Sequence, residues 1–86
     1  MQQIELPITN PTGLHTRPGT AFVRLAKTFV CDVTIQKNGK TANAKSLVKL
    51  LQIGISQGDT VTIICDGNEE VTAIEQLTQF IRNLRE

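Results

Sequence analysis

The sequence has 86 residues and a net charge of +1; 40 % of it is hydrophobic, with three phenylalanines and neither tryptophan nor tyrosine. Residues 1–86 are therefore expected to form one small domain around an aliphatic core, with little surplus surface to bury. No apolar run approaches the roughly 20 residues that span a bilayer, and the opening MQQIELP lacks the basic start and apolar stretch of a secretion signal. A cytoplasmic protein without membrane insertion is the expectation.

The small net charge hides a division. From Arg17 to Lys49 seven basic residues stand against one acidic residue, Asp32; from Leu50 to Ile81 five acidic residues meet no basic one. A basic surface for an acidic partner fits that division. Nucleic acid does not, because the basic stretch has no dense Lys/Arg run and no tyrosine or tryptophan to stack on bases.

In chain order, Ile4, Leu6 and Ile8 alternate with other residues and predict a strand over 2–8. Pro7 cannot donate to a ladder, which puts it at an edge or a strand end. Asn10-Pro11-Thr12-Gly13 is turn chemistry. Phe22, Leu25, Ala26 and Phe29 then fall on one helical face, with Pro18 in the first turn, predicting a helix over about 16–27. Val33 and Ile35 mark a second strand, Asn38-Gly39 a tight hairpin, and residues 40–44 a third strand returning along the second.

Ser46 is placed to cap a short helix that stops near Gly54. Gly58-Asp59 is a turn, Val61, Ile63 and Cys65 a fourth strand, and Asp66-Gly67-Asn68 a break. Val71, Ile74, Leu77, Phe80, Ile81 and Leu84 predict a long amphipathic C-terminal helix. The order βαββαβα fits an α+β, open-faced two-layer sandwich, its four-stranded sheet covered on one face by three helices. Cys31 and Cys65 have no metal-ligand spacing and read as small buried residues, close together if their strands are antiparallel neighbours; no disulfide is expected.

His15 is the only histidine. It stands where a turn becomes a helix, with Thr16 and Arg17 after it. A helix N-terminus offers unpaired N–H groups to anions and disfavours an imidazolium. A neutral imidazole there has a free lone pair and can take a phosphoryl group, which the N–H groups and Arg17 would then hold. A capping or surface histidine fits the same spacing, so both readings stand at this point. Metal binding lacks a second histidine or a ligand cluster. A hydrolytic triad lacks a base, and no Walker-type loop or neighbouring carboxylate pair suggests a complete enzyme. A group carrier, without cofactor or metal, fits better than a catalyst.

Residues 13–18 (GLHTRP), 44–47 (AKSL), 54–63 (GISQGDTVTI) and 66–70 (DGNEE) together resemble the HPr family, the histidine-containing phosphocarriers of the bacterial phosphoenolpyruvate-dependent sugar phosphotransferase system. The resemblance covers essentially the whole chain. It implies an antiparallel four-stranded sheet with three helices. It also implies phosphorylation of His15 on Nδ1 by enzyme I, stabilisation of the phosphate by Arg17 and by the Thr16 and Arg17 backbone N–H groups, and onward transfer to enzyme IIA domains of sugar permeases. Ser46 matches a position that an HPr kinase/phosphorylase modifies in some bacteria, where a plain N-cap serine would also fit. Gly19 departs from the alanine usual in the family, and Leu51 is apolar where enteric members are polar.

The short helix carries more apolar residues than one face can bury. Leu50 and Ile53 point inward, leaving Leu47, Val48 and Leu51 for a partner, with Arg17, Arg24, Lys27, Lys45 and Lys49 around them and Thr20 and Lys49 within the same surface. A monomer with brief docking contacts is expected. Two other readings remain: an HPr-like regulatory or dedicated-branch module acting by binding (for nitrogen or a single sugar), and a small ligand-binding domain without phosphoryl chemistry.

Overall fold

A computed structural model describes residues 1–86. Its elements are β1 (Gln2–Pro7), α1 (Thr16–Lys27), β2 (Asp32–Lys37), β3 (Lys40–Asn43), α2 (Leu47–Ile53), β4 (Thr60–Asp66) and α3 (Glu70–Arg82), the expected βαββαβα order. The strands form one antiparallel sheet in the order β1-β4-β2-β3, so β4, late in the chain, lies between β1 and β2.

Alternation along each strand decides which face is covered. Leu6 of β1, Val33 and Ile35 of β2, Ala42 of β3, and Val61, Ile63 and Cys65 of β4 point into the core. Phe22, Val23 and Ala26 of α1, Leu50 and Ile53 of α2, and Ala73, Ile74, Leu77 and Ile81 of α3 close over them. The opposite face, with Thr34, Thr41 and Thr62, carries no helix. The phenyl rings of Phe22 and Phe80 tie α1 to α3 at 6.0 Å and 51°, an ordinary tilted aromatic pair.

Local chemistry sets the boundaries. Asn38 and Gly39 both have positive φ (51° and 79°), the conformation a two-residue hairpin requires. Ser46 Oγ accepts from the Lys49 backbone N–H at 3.3 Å, and α2 ends on Gly54 in the left-handed region, the usual αL stop.

Three boundaries differ from the sequence expectation. Regular pairing stops at Pro7, yet Ile8 still exchanges hydrogen bonds with Asp59 (2.7 Å) and Gly58 (2.8 Å). The strand β3 ends at Asn43, although the Ala44 N–H still reaches the Val33 carbonyl at 2.9 Å. The helix α3 ends at Arg82, with Leu84 half-buried beyond it, and Val71 is 52 % exposed rather than part of the core face. Val71 lies in the first turn of α3. That turn starts from Glu69 in a left-handed conformation, whose side-chain Oε1 accepts from the Val30 N–H at 2.9 Å.

Cys31 and Cys65 are free and buried on the core face. Burial, with the Cys31 thiol as the next cause, pushes Cys65 up to about 12. The two thiols are thus neighbours and unpaired.

Candidate functional site

The turn before α1 is fixed from both sides. Asn10 Nδ2 donates to the Gly13 carbonyl at 2.9 Å, and the Gly13 N–H returns to the Asn10 carbonyl at 3.2 Å. Gly13 has φ +59°, and a Cβ there would fall onto the Ile55 carbonyl and 2.7 Å from Ser56 Cα. Only glycine lets the two loops touch in this way. Leu14 anchors the contact: its side chain is buried, and its N–H donates to the Ile55 carbonyl at 3.1 Å.

His15 is the N-cap of α1, extended in backbone, and its side chain makes no cap hydrogen bond. The ring is left exposed and free for another use. Its carbonyl takes the Gly19 N–H at 2.6 Å. Pro18 has no N–H, so the first-turn donors without an intrahelical partner are those of Thr16 and Arg17. Thr20 Oγ instead donates to the Thr16 carbonyl at 2.6 Å. Gly19 has a packing reason that the sequence does not display: a Cβ there would stand 2.9 Å from the Leu14 carbonyl oxygen.

Two further segments meet at the ring. Ser56 Oγ lies 3.3 Å from His15 Nε2. Behind it, the Ser56 N–H donates to Asp59 Oδ2 at 2.7 Å, and Lys37 Nζ contacts the same oxygen at 2.8 Å and the Gly54 carbonyl at 2.7 Å. Lys37, and then the Ser56 N–H, hold the Asp59 carboxyl below the ordinary carboxylate range. On the other side, Arg17 Nη1 pairs with Glu86 Oε2 at 3.1 Å. The Glu86 main-chain oxygen accepts from the Thr12 N–H (2.9 Å), Thr12 Oγ (2.6 Å) and Asn10 Nδ2 (3.0 Å). Thr12, His15, Thr16, Arg17, Pro18 and Glu86 line one open recess.

Sequence reasoning missed Asn10, Lys37, Ser56, Asp59 and Glu86. Gly58-Asp59 was legible as a turn, but nothing local links position 56 to position 15 or position 86 to position 17. A separate recess between β1 and α3, lined by residues such as Gln3, Ile4, Ile74 and Arg82, does not include His15 or Arg17.

The predicted docking residues lie on α1 and α2. Arg24, Lys27 and Lys49 are exposed, as are Val48 (64 %) and Leu51 (39 %), while Leu50 and Ile53 are buried. Two residues differ from the expectation. Leu47 is half-buried against the core. Lys45 donates its ammonium to the Phe29 carbonyl at 2.7 Å, which ties the end of α1 to the start of α2 instead of leaving a free rim charge. Ser46 is half-buried as the α2 cap.

Comparison with known proteins agrees with this geometry. Residues 2–83 match the family model described as PTS HPr component phosphorylation site. The chain is 45 % identical over 85 residues to the phosphocarrier protein HPr of Buchnera aphidicola subsp. Baizongia pistaciae, covering 99 % of this chain and 100 % of that one. It is 41 % identical over 80 residues to the HPr-like protein Crh of Halalkalibacterium halodurans, covering 93 % of each. The crystal structure of HPr-C-His from Thermoanaerobacter tengcongensis superposes with a TM-score of 0.93 at 36 % identity, covering 95 % of this chain and 92 % of that one. With an exposed histidine capping the first helix and full-length likeness in both sequence and fold, the chain belongs to the HPr family, whose members are phosphocarriers of the phosphotransferase system and not enzymes.

Proposed function

We propose that His15 accepts a phosphoryl group from phosphorylated enzyme I, which takes it from phosphoenolpyruvate, and passes it to enzyme IIA domains of sugar permeases. The observation that carries this reading is the exposed imidazole at the N-cap of α1, beside two unpartnered N–H groups and Arg17. The Nδ1 lone pair attacks phosphorus, the bond from phosphorus to the donor breaks, and the donor leaves with that electron pair. The ring keeps its Nε2 proton. The new phosphate is an anion at a helix N-terminus, where the Thr16 and Arg17 N–H groups and the macrodipole favour it. Arg17 exchanges its Glu86 carboxylate for the phosphate, a stronger acceptor.

Docking falls to Thr20, Arg24, Lys27, Leu47, Val48, Lys49 and Leu51. An apolar centre with basic edges suits an acidic partner surface and speeds encounter without a large buried area. Phosphate on Ser46 would put negative charge beside that surface and weaken docking, whichever kinase supplied it. The protein acts in the cytoplasm, as a monomer and as one domain over residues 1–86.

The likeness to Crh favours a second reading, an HPr-like regulator acting by binding. His15 speaks against it, since pure binding has no need of the nucleophile.

Enzyme I, magnesium and labelled phosphoenolpyruvate, with His15→Ala alongside, decide the matter. Acid-labile, alkali-stable label on the wild type and none on the variant supports the carrier. No label on the wild type, with enzyme I active on a known carrier, sinks it.

A further inference from the structure

We propose that Ser56 is a positioning residue that selects which nitrogen of His15 reacts. This rests on the carrier reading above. A neutral imidazole carries one proton, and the nitrogen holding it has no lone pair to offer a phosphorus atom. Ser56 Oγ is the one side-chain atom in hydrogen-bond contact with the ring, and it faces Nε2 at 3.3 Å. When Nε2–H donates to Ser56 Oγ, the proton is fixed there and the Nδ1 lone pair is free. The partner of one ring nitrogen thereby sets the chemistry of the other.

The arrangement needs no adjustment during transfer. Once Nδ1 carries phosphorus, Nε2 is the only ring nitrogen that can hold a proton, and it still faces the same oxygen. A group that keeps its hydrogen bond before and after the step imposes no reorganisation.

Ser56 is itself held. Asp59 Oδ2 binds its N–H at 2.7 Å, and Lys37 reaches from the end of β2 to Asp59 at 2.8 Å and to the Gly54 carbonyl at 2.7 Å. Behind the loop, Gly13 packs against Ile55 and Ser56 with no room for a Cβ. Ser56 thus sits on a loop pinned by Lys37 of β2 and by the turn at Gly13, so its distance to the ring is set by the fold. Lys37 and Asp59 act through Ser56 and touch neither the ring nor the incoming group.

The test reads tautomer and rate separately. Nitrogen-15 NMR of the ring, at about pH 8.5 where an ordinary histidine is neutral, is recorded for the wild type, Ser56→Ala, Ser56→Thr and Asp59→Asn. Phosphorylation by enzyme I is timed on the same samples. The wild type should show mainly the Nε2–H form. Ser56→Ala should shift the tautomer ratio toward the Nδ1–H form by about three- to tenfold, the size of one neutral hydrogen bond, and react more slowly in proportion to the Nε2–H fraction it loses. Ser56→Thr, which keeps the hydroxyl, should restore both, and Asp59→Asn should shift both in the direction of Ser56→Ala by less. An unchanged tautomer in folded Ser56→Ala overturns the proposal, as does a slowed rate that Ser56→Thr does not rescue. Failure of the wild type to accept phosphate overturns the carrier reading instead; the NMR measurement stands apart from it.

Discussion

At the scale of single residues, Arg17 has two anions to serve. In the structure it holds Glu86, and that residue is held in turn by Asn10 and Thr12 through its main-chain oxygen. The pair is well exposed, with Arg17 84 % accessible, so it is worth little as a stabiliser. Its interest lies in competition: the carboxylate occupies the guanidinium that the proposed phosphate needs, and the two anions repel. Glu86→Gln should therefore shift the phosphoryl equilibrium with enzyme I toward the phosphorylated protein by about two- to fivefold, the size of one exposed ion pair. Titrating labelled protein against enzyme I reads that ratio directly. An unchanged ratio makes Glu86 a bystander. His15 and Arg17 were legible in the sequence because the chemistry of both is local to one turn. Ser56 and Glu86 were not, because each joins the site across more than 40 positions, through contacts that only the folded sheet creates.

At the scale of elements, α2 divides its apolar residues much as its spacing suggests, with Leu47 as the one exception. Leu50 and Ile53 are core, Val48 and Leu51 face solvent, and Leu47 is shared between the two. A charge at Leu47 would therefore perturb packing together with any partner contact. Val48 is the cleaner probe: Val48→Asp should leave the unfolding free energy within about 0.5 kcal/mol of wild type and slow transfer from enzyme I roughly tenfold, about 1.4 kcal/mol in the barrier. A folded Val48→Asp protein that transfers at the normal rate would remove this residue from the docking surface. The periodicity of α1 and α2, the Asn38-Gly39 hairpin and the Gly54 stop were all readable, since each depends on neighbours a few positions away. The end of α3 and the start at Glu69 were not. Leu84 continues the apolar rhythm beyond the last turn, and the left-handed Glu69 rests on a hydrogen bond to the distant Val30.

At the scale of the whole molecule, the segregation of charge along the sequence is partly undone by folding, since Lys37 of the basic half meets Asp59 of the acidic half. The core is aliphatic apart from its phenylalanines and the two thiols. Burial holds Cys65 neutral up to about 12, whereas a thiol in the unfolded chain ionises near 9. This contribution to stability is complete below pH 9 and is lost as the pH climbs from 9 toward 12, because only the unfolded chain can then release the proton. Urea midpoints measured across that window should fall more steeply for the wild type than for Cys65→Ala; parallel curves would mean that the thiol does not report on folding. The order of the sheet also bears on the making of the protein. The first strand has no hydrogen-bonding partner until residues 60–66 exist, and the turn that carries His15 has its clasp only once Glu86 has been added. At roughly 5–20 residues per second on a ribosome, a nascent chain waits some seconds with its first strand unpaired. The nucleophile is therefore made well before the structure that aims it, and a half-synthesised chain has the histidine without the site.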